Sequence, residues 1–142
     1  GLSLCRVAAA APAETPLSAL PPEVQRALGP PEKGQTFVAA AQTRCDLDHD
    51  GAEELLVAVS PRDAAGFGQT ARPTWLLVRD GAGWRRAAYL GALVRADVVP
   101  GASRDGIRAV SRDGARAHCV LYRWKHERLE ASTCPADPAP AR

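Results

Sequence analysis

Methionine is absent from this 142-residue chain, and aromatic residues make up only 5% of it. No apolar run approaches the roughly 18 residues that a bilayer-spanning helix requires, which excludes a helical membrane span. A formal charge of +2 is too small to suggest a nucleic-acid partner. Nor are aromatic and basic residues interleaved in the way that single-stranded nucleic acid favours. The chain contains no G-x-S-x-G elbow, no H-E-x-x-H, no P-loop and no G-x-G-x-x-G. The four cysteines, Cys5, Cys45, Cys119 and Cys134, show neither zinc spacing nor a C-x-x-C redox pair.

The length suits one domain with its own core. Charge is unevenly distributed along it. Asp46, Asp48, Asp50, Glu53 and Glu54 fall within nine residues, whereas residues 55–142 carry fourteen basic groups against eight acidic ones. Nearly all the basic groups are arginine, read either as a solvated face or as a surface for an acidic partner.

Gly1–Val7 leads into an alanine run ending Ala11-Pro12-Ala13, where Ala11-x-Ala13 fits the small-residue rule of signal peptidase. Residues 1–20 are therefore expected to be a signal remnant or a disordered segment. Residues 21–134 are expected to form one β-rich domain, and residues 135–142 a disordered Pro/Ala tail. The expected location is exported, periplasmic or extracellular, where cysteines serve as cross-links. Cys119 and Cys134 flank an expected hairpin and are the first candidates for a pair. Cys45 is left as a free thiol or in another pairing if Cys5 departs with the signal.

Leu20–Gly29 reads as a short helix, with prolines suiting its first turn and Gly29-Pro30 stopping it. Strands are expected over 35–45, 54–60, 74–79, 84–90, 93–99, 117–124 and 127–133. The tetrapeptide Ser103-Arg104-Asp105-Gly106 returns as Ser111-Arg112-Asp113-Gly114, and both copies read as successive turns of a meander. The expected fold is mainly β (α+β): an antiparallel meander sheet, barrel or sandwich with one short N-terminal helix. Trp75, Trp84, Trp124, Tyr89 and Tyr122 all fall on expected strands at positions suited to a core. Residues 61–73 form the longest irregular stretch, so Arg62, Phe67 and Arg72 are candidates for contact with a partner.

The densest chemistry lies in Asp46-Leu47-Asp48-His49-Asp50-Gly51-Ala52-Glu53-Glu54. Alternate side chains of a tightly curled loop point inward, which brings Asp46, Asp48 and Asp50 towards one point, and Gly51 permits the sharp turn. The Ala52 carbonyl can add an oxygen, and Glu54 can close the shell from the following strand. Calcium takes six to eight oxygens in flexible geometry and suits such a set. Without a cation, carboxylates this close repel one another and raise each other's pKa. His49 is expected to face solvent, since calcium prefers oxygen. His118 and Cys119 are strand neighbours on opposite faces and cannot form a nucleophile–base pair. His126 sits on an expected turn. No catalytic constellation emerges, so the chain is not expected to be an enzyme.

Residue 57, a valine where an EF-hand carries its twelfth-position glutamate, separates the loop from that motif. Instead Asp46, Asp48, Asp50, Gly51, Glu54, Leu55 and Val57 resemble D-x-D-x-D-G-x-x-[DE]-L-x-V, the calcium loop of FG-GAP and VCBS-type repeats in exported proteins. His49 departs from the Gly or Asn frequent at the fourth position of that motif. The resemblance implies a loop joining two antiparallel strands, with an ion that clamps the connection and performs no chemistry. One copy implies a stand-alone domain, because a propeller needs several blades. The function expected is an exported, calcium-stabilised binding or interaction module with a protein partner. The alternatives are an exported inhibitor or immunity protein blocking a hydrolase, and a subunit of a cell-surface assembly.

Overall fold

The computed structural model describes residues 14–29, 37–61, 71–125 and 127–134. Two antiparallel sheets face one another, each a simple meander. The first contains β1 (Glu14–Pro16), β2 (Phe37–Cys45), β3 (Glu54–Pro61), β4 (Arg72–Asp80) and β5 (Gly83–Leu93), in that spatial order. The second contains β6 (Arg95–Val99), β7 (Gly106–Asp113), β8 (Arg116–Lys125) and β9 (Arg128–Thr133), also in order. A 3-10 turn (Leu17–Ala19) and one helix, α1 (Pro22–Leu28), lie between β1 and β2. The barrel alternative is overturned: the sheets do not close on each other, and the fold is a sandwich with one helix.

Strand alternation makes the first sheet a middle layer. In β3, Leu55, Val57 and Val59 face α1, where they pack with Leu20, Val24, Ala40, Leu77 and Trp84. Leu56 points the other way, with Leu76, Val78, Leu90 and Leu93, onto Val98, Ile107, Ala109 and Trp124 of the second sheet. A strand buried on both faces reads as a continuous apolar run, and Leu55–Val59 is one. Pro22 opens α1 at a position that needs no N–H, and Gly29, at φ +71°, receives its C-terminus. Val24 is fully buried beneath the sheet.

The chain changes sheets at Val94, between β5 and β6, whose N–H donates to the Val110 carbonyl at 2.8 Å. The expected single strand over 93–99 is thus split, because apolar composition runs unbroken across the crossing. Glu14–Pro16 pairs with Ala39–Ala41, and Leu20 is buried, so the described fold already includes residues before position 21. Cys119 and Cys134 are joined across β8 and β9, with Cα atoms 5.8 Å apart, as the hairpin geometry leads one to expect. Cys45 is disulfide-bonded too and is not a free thiol.

Trp84 and Trp124 are buried, and Trp75 and Tyr122 are half-buried. Tyr89 does not join the core. It is 51% exposed and stacks on Trp75 with ring centroids 4.4 Å apart. The seven-residue α1 packs over Trp84 and ends at Gly29, beside Arg86. The Arg86 guanidinium lies over Trp75, 4.9 Å from the ring centroid.

Candidate metal centre

The connection between β2 and β3 begins after Cys45 and ends at Glu54, which face each other across the ladder. Ladder pairing closes the mouth of the loop, and the loop's own carboxylates set its curl. Asp46 accepts the Asp50 N–H through Oδ1 at 3.1 Å and the Gly51 N–H through Oδ2 at 2.8 Å. Asp50 Oδ1 accepts the Ala52 N–H at 2.8 Å. Gly51 takes φ +95°, where a side chain would be strained.

One oxygen from each of Asp46, Asp48, Asp50 and Glu54 lies within 4.8 Å of the other three. The four residues singled out from their spacing are thus brought together. Ala52 is held in the loop by its N–H on Asp50. Glu54 is 5% exposed, and its Oε1 accepts the Leu47 N–H at 2.7 Å. Asp48 Oδ1 is buried without a hydrogen-bond partner.

This crowding perturbs the acids in different directions. Burial pushes the Glu54 carboxyl up to about 8; the nearby Asp48, Asp50 and Asp46 reinforce the rise, and the Leu47 N–H opposes it. Burial likewise raises Asp48 to about 6, assisted by the hydrogen bond and charge of Asp50. Asp50 is lowered, chiefly by the Ala52 N–H. The buried, partnerless oxygen and the all-oxygen donor set suit a hard cation: positive charge would offset the desolvation that holds protons on Glu54 and Asp48.

His49 is exposed, as expected, although its ring also reaches towards the second sheet. Its backbone adopts φ +59°, which explains why the resembling motif favours Gly or Asn there. Its Nε2 donates to Asp105 Oδ1 of the second sheet's loop at 3.0 Å. Asp105 was not apparent as a site residue. It is 4% exposed, accepts the Gly101 N–H at 3.1 Å, and donates its own N–H to the Leu47 carbonyl at 2.6 Å. Its Oδ2 lies 3.8 Å from Cys45 Sγ.

The two Ser-Arg-Asp-Gly copies therefore differ: Asp113 ends β7 at the Gly114-Ala115 turn into β8, whereas Asp105 is a buried anchor ahead of β7. The signal available in sequence was the preceding Pro100-Gly101. An added Cβ at Gly101 would stand 2.1 Å from the Arg104 carbonyl oxygen, so this loop closes tightly in a way the later turn does not.

Of the contact candidates, Arg62 and Phe67 lie outside the described residues. Arg72 is the first residue of β4, and its Nε donates to Glu14 Oε2 at 2.8 Å, an oxygen that also accepts the Ser60 hydroxyl. It ties β1 to β4, in place of standing free on a loop. His118 is exposed on β8, and Cys119 is oxidised, so the two form no nucleophile–base pair. His126 lies outside the described residues. Among the described residues, no helix is long and apolar enough to cross a membrane.

No protein-family model matches the chain, and no curated protein or solved structure is significantly similar to it.

Proposed function

We propose that this chain is an exported calcium-binding module without catalytic activity, in which the ion is structural and the rest of the surface serves a protein partner. The convergence of four carboxylates, one of them Asp48 with its Oδ1 buried and without a hydrogen-bond partner, carries the reading. The four oxygens lie within 4.8 Å of one another, close enough to share one cation, and an all-oxygen set in a flexible loop suits calcium. Asp46, Asp48, Asp50 and Glu54 would hold the ion, with the Ala52 carbonyl as a further donor. Its effect would be to neutralise the loop and brace β2 against β3.

The likeness of the loop to FG-GAP and VCBS-type calcium loops supports the assignment, and the Cys119–Cys134 disulfide is compatible with export. A hydrolase inhibitor and a surface-assembly subunit gain no specific support, since the one described contact candidate, Arg72, is engaged with Glu14. Thermal melts in calcium and in chelator, together with titration calorimetry, test the proposal. At a calcium concentration a hundredfold above Kd, the folded state should gain about 2.7 kcal/mol, a rise of several degrees in Tm. Identical melts and no binding heat would overturn it.

A further inference from the structure

The acidic loop is built into the first sheet, yet its underside is held by the second. Asp105 precedes β7 and makes two hydrogen bonds across the gap: its carboxylate accepts His49 Nε2, and its N–H reaches the Leu47 carbonyl, while the Gly101 N–H holds the same carboxylate from within its own loop. Leu47 and His49 alternate with the three aspartates. Leu47 is buried in the intersheet core with Ile107 and Trp124, and its own N–H holds Glu54. The two residues that Asp105 grips are therefore the spacers that aim Asp46, Asp48 and Asp50.

We infer that Asp105 is a positioning residue for the ion site, supplied by the opposite sheet, and that ion binding is thereby coupled to docking of the two sheets. The inference rests on the calcium reading above and extends it. An ion that draws the aspartates together fixes Leu47 and His49, which tightens their hold on the 100–106 loop. Conversely, releasing that loop lets the spacers turn and spreads the donors. Groups that orient ligands without touching the metal commonly change affinity by roughly 10- to 100-fold when removed.

The test is calcium titration calorimetry on the full chain and on Asp105→Asn, His49→Asn and Leu129→Val, well below each melting temperature. Asp105→Asn keeps shape but weakens the acceptor for His49. His49→Asn tolerates the positive φ and is too short to reach Asp105, providing a second route should Asp105→Asn fail to fold. Leu129→Val loosens the second sheet at β9, which β8 separates from the strand that carries the tether. The expected result is a Kd at least 10-fold weaker for both tether variants and unchanged for Leu129→Val. Hydrogen exchange at the Asp105 amide should slow when calcium is added to the unmodified chain. If the folded tether variants bind calcium as tightly as the unmodified chain, the coupling is overturned while the ion site stands. If the unmodified chain takes up no calcium, both fall. An equal loss of affinity in Leu129→Val would assign the effect to general loosening and also overturn the inference.

Discussion

Glu54 and Asp105 are both buried carboxylates, 5% and 4% exposed, and they lie on either side of the same loop. Asp105 is surrounded by donors: an imidazole, a backbone amide and no other acid within its hydrogen-bonding set. Glu54 has one amide, from Leu47, and three aspartates for company. Equal burial with opposite surroundings separates two roles. Where the protein itself supplies the hydrogens, a buried acid is part of the scaffold. Where it supplies mostly like charge, the missing partner must come from outside as a proton or a cation.

The largest expected effect breaks the scaffold side of this contrast. Asp105→Ala leaves the Gly101 amide and His49 without their acceptor and should cost about 2–4 kcal/mol in urea unfolding in chelator, and more in saturating calcium, where the weakened ion site adds to the loss. A cost below about 1 kcal/mol would place Asp105 among ordinary loop residues. Next comes the cation side. Glu54→Gln keeps an oxygen for the Leu47 N–H but removes the charge. It should melt no lower than the unmodified chain in chelator at pH 8, and should lose most of the Tm rise with calcium.

The pH dependence sharpens the same point. The folded-state pKa of Glu54 is raised from 4.5 to about 8, so in chelator the folded chain holds a proton that the unfolded chain has released. The stability contributed by protonated Glu54 is fully present below pH 4.5 and is lost as pH rises towards 8. Asp48, raised to about 6, adds a loss in the lower part of that window. Calcium competes with those protons, so its Kd should tighten as pH rises over the same range. Chelator melts that do not fall between pH 5 and 8 would contradict the crowded-acid account. The smallest effect belongs to the other copy of the tetrapeptide: Asp113→Ala, on an exposed turn, should stay within about 0.5 kcal/mol.

Those two copies also mark how far sequence alone reaches. Apolar runs and turn residues locate α1 and most strands, because Leu55–Val59 and Thr74–Val78 must be buried wherever they sit. The carboxylate cluster is legible because alternate acids closed by Gly51 and Glu54 must curl towards one point. Asp105 is not legible, since Ser-Arg-Asp-Gly spells the same turn twice and only the arrangement of the sheets decides which copy is covered. β1 escapes notice for a related reason: Glu14-Thr15-Pro16 has no strand pattern and is a strand through its pairing with β2. Tyr89 reads as core by its place on a strand, but alternation gives only the face a side chain takes and not how much of that face is covered.

The sulfur bridge between Cys119 and Cys134 has a consequence for how copies of this chain meet. β9 is an outermost strand, six residues long and mostly exposed, the kind of border that another chain can extend or exchange. The Lys125–Arg128 pair fastens one end of it and the bridge fastens the other. A hem sewn at both ends cannot be lent to a neighbour. Strand swapping through β9 should therefore require reducing conditions.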